Sequence, residues 1–145
     1  MLILGFEFPD ACHYWPLHDV WCLMQPDGVL RVGITAFGAH VGGDVYMCRP
    51  KAVGTVLQQG QGVAVAELSK SVISIKTPAG GAVVRINARL EDEPELLARD
   101  PYGAGWLVEL TPADWDNDLR TLVCGSAAAA ALLQRMQLEP DTDAS

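Results

Sequence analysis

Lysine is scarce in this chain: only Lys51, Lys70 and Lys76 occur in 145 residues. Positive charge is short overall, with 10 Lys and Arg against 18 Asp and Glu, a formal charge of −8. That balance excludes nucleic acid and anionic membrane as partners, because both demand a basic surface. Long apolar runs are missing too. The stretch from Met1 to Phe8 is apolar but short, lacks a basic start and runs into Glu7 and Asp10, so neither a signal peptide nor a membrane span is expected. The expected location is the cytoplasm.

No CxxC pair occurs, and the four cysteines at 12, 22, 48 and 124 are scattered, a pattern suited to a reducing compartment. Cys12, His13, His18 and Cys22 gather near the N-terminus. Their types would suit zinc, yet their spacing matches no standard structural site, so buried thiols are expected and no metal. No glycine run follows a phosphate-binding pattern, and tight turns account for those present.

What the sequence does have is short strands broken by turns. Val29–Thr35, Asp44–Cys48, Val63–Leu68, Val72–Lys76 and Ala82–Ile86 carry strand-like patterns, with turn signals every eight to twelve residues. Such spacing indicates a β-sandwich or barrel. Ala36–Val41 suits a short helical turn. Asp92 is expected to cap a short helix, with Glu95 in capping-box spacing and Pro94 in its first turn, ending by Asp100. Gly105–Leu110 is expected as the final strand. Thr111 is then expected to cap a helix with Pro112 at its first position, and Ser126 to cap an alanine-rich helix over Ala127–Leu138. Half the residues are apolar, enough for one core. The expected organisation is a single domain over 1–139 and an acidic tail over 140–145.

Lys70 is the candidate functional residue. Only Ser69-Lys70-Ser71 separates the runs Val63–Leu68 and Val72–Lys76, which marks a β-hairpin. A lysine at its tip holds a primary amine out in solvent at a fixed place on a rigid frame. That geometry suits attachment of a swinging cofactor.

Val32-Gly33-Ile34-Thr35, Gly43-Asp44-Val45, Val63–Glu67 with Lys70, and Asp100-Pro101-Tyr102-Gly103-Ala104-Gly105-Trp106-Leu107 together resemble the glycine cleavage system H protein family. The likeness runs in unbroken order from about Trp21 to Gln134. It implies a mainly β barrel-sandwich hybrid with C-terminal helices, no catalytic residue, and covalent lipoate on Lys70. Glu67 matches the family's acidic residue three positions earlier, where it would help a lipoate ligase or lipoyl transferase recognise the hairpin; an ordinary exposed strand carboxylate is an equal reading. A biotin carrier fits less well, since Ser69 and Ser71 rather than methionines flank the lysine.

The chain departs from the family at Leu68-Ser69 before the lysine, at Asp19-Val20-Trp21 in place of His-Glu-Trp, and by one extra residue in Pro50–Gly54. These departures resemble the H-protein-like lipoate-binding proteins, and imply a carrier of sulfur intermediates to a heterodisulfide-reductase-like sulfur-oxidising complex. The alternative client is the glycine cleavage enzymes, with an aminomethyl cargo. A third reading is an unmodified H-like binding or regulatory module.

Overall fold

The computed structural model describes residues 1–139. The expected acidic tail, Pro140–Ser145, lies outside the described residues. The chain opens with β1 (Leu2–Ile3) and β2 (Phe6–Glu7), a small hairpin. Then come β3 (His13–Trp15), a 3-10 turn over Pro16–His18, β4 (Val20–Met24) and β5 (Leu30–Ile34). Helix α1 (Ala36–Val41) leads to β6 (Val45–Pro50), β7 (Val56–Leu57), β8 (Gly62–Leu68), β9 (Val72–Lys76) and β10 (Gly81–Ile86). Helices α2 (Arg89–Asp92) and α3 (Leu96–Arg99) precede β11 (Val108–Pro112), and α4 (Trp115–Asp118) and α5 (Gly125–Leu138) close the chain.

All strand pairs are antiparallel. A six-stranded sheet has the order β3-β4-β5-β11-β10-β7, and a three-stranded sheet the order β6-β8-β9. The mainly β expectation holds, with four of the five α-helices after β10. Between the sheets lies a core that includes Val20, Leu30, Val32, Val63, Ala66, Ile75, Val83 and Leu110. Alternation explains it. Along β8, Ala64, Ala66 and Leu68 are buried while Val65 and Glu67 face out, the period-two pattern of a strand with one wet face.

A second core cluster joins Phe8, Cys12, Tyr14, Trp21, Phe37, Ala128, Leu132 and Met136. Trp21 is fully buried, and its Nε1–H donates to the Ile34 carbonyl at 3.0 Å. Its cross-strand partner is Gly33. A Cβ on Gly33 would lie 2.5 Å from three indole atoms, so the ring can sit only on a bare backbone. Trp106 is half-buried and lies just ahead of β11, with the Arg31 guanidinium 5.0 Å from its ring centre.

Several local signals resolve differently from their sequence reading. Asp92 ends α2 and caps nothing. Helix begins earlier, at Arg89, whose amide also donates to the Asn87 side chain at 3.3 Å, and Pro94, lacking an N–H, falls between α2 and α3. Gly105 lies in a turn, its amide donating to the Asp100 carbonyl at 2.8 Å, and the last strand starts only at Val108. Thr111 and Pro112 finish that strand, paired with Ala82 and Gly81. The next helix is capped by Asp114, whose carboxylate accepts from the Asn117 amide. Cys124, not Ser126, stands at the start of α5. Sheet pairing outweighs a local cap worth about 1 kcal/mol.

Gly33→Ala drives a methyl into a rigid ring that has no room to yield. The expected loss is about 1–3 kcal/mol of stability, to be read from the midpoint of urea unfolding; an unchanged midpoint would mean that the indole does not rest on this backbone.

Candidate functional site

The hairpin β8–β9 carries Lys70 at its tip, as its flanking sequence implies. The loop is tighter than the three-residue break suggests. Leu68 and Ser71 already bond across the hairpin, with the Leu68 amide donating to the Ser71 carbonyl at 2.8 Å. Only Ser69 and Lys70 lie beyond that closure. Lys70 is exposed and takes part in no ion pair among the described residues. A free amine at such a point meets the steric and chemical needs of amide attachment. Lys76 is half-buried, its Nζ 3.2 Å from Ser74 Oγ, and Lys51 sits at the far end of the sheet beyond Pro50. Glu67 is exposed on β8, opposite Val72 on β9 and Met47 on β6. It therefore shares the tip region with Lys70.

Beside the tip runs a groove of about 310 Å³, lined by apolar Val41, Leu68, Ile73 and Ile75 and by polar His18, Asp19, Ser71 and Arg135. Its wall comes from segments far apart: the 3-10 turn, β5, α1, the β8–β9 hairpin and α5.

Asp19 has a backbone role as well as a charge. Its φ is +57°, in the left-handed region, and its carbonyl accepts from the Thr35 amide at 2.8 Å. The carboxylate pairs with Arg135 at 2.9 Å, and Arg135 also reaches Glu139 at 3.0 Å. Burial raises the Asp19 carboxyl to about 6, while Arg135 opposes the shift. Leu68 is buried and packs against Gly42, where a Cβ would meet its side chain at 2.2 Å. Ser69 accepts from the Asp44 amide at 3.0 Å. Three of the departures that pointed to a different client thus have internal contacts of their own.

Among the described residues, no group of three or more His, Cys, Asp or Glu converges to hold a metal. Cys12, Cys22 and Cys48 are buried and Cys124 is exposed. Burial pushes the Cys12 thiol up to about 11 and Cys48 up to about 12, and moves Cys22 the same way. Such thiols stay protonated and are poor nucleophiles. His13 and His18 instead stack edge-on against Trp115 and Trp15, with ring centres 5.5 and 4.5 Å apart.

The segment from Asp100 to Trp106 is a scaffold. Asp100 Oδ2 accepts from the Ala104 amide at 2.9 Å, and the Asn87 side chain donates to the carbonyls of Ala104 and Trp106. Tyr102 ties the N-terminal hairpin to α1. Its hydroxyl donates to the Glu7 carbonyl at 2.7 Å and accepts from the Ala36 amide at 3.0 Å.

The family model described as glycine cleavage H-protein matches residues 13–135. Glycine cleavage system H protein 2 of Aquifex aeolicus is 33% identical over 135 residues, 93% of this chain and 84% of that protein. The glycine cleavage system H protein of Thermus thermophilus is 40% identical over 108 residues, 74% of this chain and 83% of that protein. The crystal structure of a glycine cleavage system H protein from Mycobacterium marinum matches with a TM-score of 0.73 at 30% identity, over 85% of this chain and 97% of that one.

Two outcomes follow from the burial at this site. Under native conditions iodoacetamide should label Cys124 alone, and all four thiols after unfolding, as read by intact mass. Asp19 should titrate near pH 6 by carboxyl NMR. Its folded value lies above the ordinary 3.8, so its contribution to stability is present below about pH 4 and is lost as pH rises through 6. Asp19→Asn keeps the left-handed backbone at little cost. The parent should therefore lose stability relative to that variant between pH 4 and 6, and a constant difference would contradict the buried carboxylate.

Proposed function

The chain belongs to the glycine cleavage H-protein family, and on that premise we propose that it carries lipoate on Lys70 and passes the aminomethyl fragment of glycine between the glycine cleavage enzymes. Members of this family are carriers, not catalysts, and their cofactor is lipoate bound covalently to a lysine. The observation that carries the assignment to Lys70 is positional. It is the one lysine of the chain at a hairpin tip, exposed and without an ion pair among the described residues.

The protein's own residues supply attachment, aim and shelter. Lys70 Nζ gives the amide nitrogen. The backbone of Ser69 and Lys70, tied to the carbonyls of Asp44 and Gly42, fixes where that amide begins. Leu68, Ile73 and Val41 offer an apolar bed beside it, and Asp19 and His18 a polar end. When bound, lipoate supplies a dithiolane on a long arm that visits successive enzymes at high effective concentration. Glu67 lies where a lipoate ligase must approach, and we assign it to that recognition. Residues 1–139 serve as one carrier domain.

The glycine cleavage client is preferred to the sulfur-oxidising complex on two grounds. The similar proteins carry the glycine cleavage name. The changes at Asp19, Leu68 and Ser69 also have structural causes within this fold, so they no longer argue for a different docking surface.

Co-expression with a lipoate ligase should add one lipoyl increment to the intact mass, mapped to Lys70 and absent from Lys70→Arg. A chain that stays unmodified would instead be a binding module. The lipoylated protein should then support glycine-dependent reduction of its dithiolane in a reconstituted glycine cleavage system. Full lipoylation without such reduction would overturn the glycine reading.

A further inference from the structure

Two-residue hairpin loops are favourable when one or both central residues take positive φ, because the turn then matches the strand twist. Neither Ser69 nor Lys70 does so. The loop closes unevenly as well: Leu68 donates to Ser71 at 2.8 Å, but the return bond is 3.4 Å. Left to itself, this tip is not one of the preferred turns. It is held from outside, by the loop between α1 and β6.

Three good hydrogen bonds make the clamp. The Ser69 amide donates to the Asp44 carbonyl at 2.8 Å, and the Lys70 amide donates to the Gly42 carbonyl at 3.0 Å. In the opposite sense, the Asp44 amide donates to Ser69 Oγ at 3.0 Å. A weaker contact runs from that hydroxyl to the Gly42 carbonyl at 3.4 Å. Gly43 between them has φ +82°, and a Cβ there would stand 2.2 Å from Ser69 Oγ and 3.7 Å from Lys70 Cγ. Glycine both permits the backbone turn and leaves space for the serine and the lysine stem.

We propose that Ser69, through its hydroxyl bond to the Gly42–Asp44 loop, is a positioning residue for the acylation of Lys70. The proposal rests on Lys70 being the lipoylated lysine. In that reaction the neutral Lys70 Nζ attacks the carbonyl carbon of an activated lipoyl group. The C–N amide bond forms, the bond from that carbon to the activating adenylate breaks, AMP leaves with the bonding pair, and the nitrogen gives up a proton. The amine sits on a flexible four-carbon stem, so the only part of the nucleophile the carrier can preset is the backbone at its root. Fixing that root raises the fraction of encounters in attack geometry.

The test compares the parent with Ser69→Ala and Ser69→Thr, using lipoate, ATP and a bacterial lipoate ligase. In Ser69→Ala, kcat for lipoylation should fall by about fivefold, the factor that matches one ordinary net hydrogen bond. KM for the carrier should hold, because the surface around Glu67 is intact. Amide hydrogen exchange at Lys70 of the unmodified protein should accelerate by a similar factor, while the melting temperature falls by no more than about 4 °C. Ser69→Thr, which keeps the hydroxyl, should restore both kcat and the slow exchange. Unchanged kcat in Ser69→Ala overturns the proposal, whether or not exchange accelerates. A fall in kcat that tracks a large drop in melting temperature, or that Thr fails to rescue, also overturns it. A parent that is itself not acylated on Lys70 would refute the underlying assignment, and is seen before any variant is compared.

Discussion

The seat of Trp21 on Gly33 is the contact from which the position of Lys70 follows. The indole lies on bare backbone and bonds the Ile34 carbonyl, so the end of β5 is fixed in both direction and height. One residue later the Thr35 side chain accepts from the Gly38 amide at 3.1 Å and starts α1, while its own amide bonds the Asp19 carbonyl. Six residues of helix then deliver Gly42, Gly43 and Asp44 to the underside of the β8–β9 tip. A ring deep in the second core cluster is thus linked to an exposed amine by one short stretch of chain. Each step is a steric or hydrogen-bonding requirement.

Much of this is legible in the sequence because the informative signals are local. Alternating residues on both sides of Lys70 specify the hairpin, and Ala36–Val41 was legible as a helical turn. The errors came where an equally local signal competed with sheet pairing. Thr111-Pro112 has the form of a helix start, but Gly81 and Ala82 hold it as the end of a strand. Asp92 and Glu95 have capping-box spacing, yet α2 begins upstream at Arg89 and Asp92 is its last residue. The groove beside Lys70 is not legible in this way, because its lining converges from five separate parts of the chain. Asp19 shows the same limit. Its departure from the family pattern was visible, but not its left-handed backbone or its bond to Arg135, 116 residues away.

Charge is placed with more care than the net excess of acid suggests. Glu109 is almost fully buried in β11, and both Arg31 on β5 and Arg85 on β10 reach it. A buried carboxylate needs such partners, since removing one would leave an uncompensated charge. The two arginines come from the strands on either side, so the pair of bonds ties three neighbouring strands together across their side chains. Arg31 also covers the face of Trp106. That ring therefore marks the edge of the core and belongs to this charge-stitched patch.

The second core cluster joins Phe8 to Met136, nearly the whole length of the described chain apart. The β8–β9 hairpin, by contrast, is made of residues that are neighbours in sequence. Loop-closure entropy makes the first kind of contact late and the second early. During synthesis the ribosome releases the lysine hairpin well before α5 exists. The N-terminal hairpin must wait, with Phe8 and Tyr14 uncovered, until the last helix emerges to roof them. The growing polypeptide is therefore at its most aggregation-prone in the interval after the β8–β9 hairpin has formed and before α5 has closed over Phe8 and Tyr14.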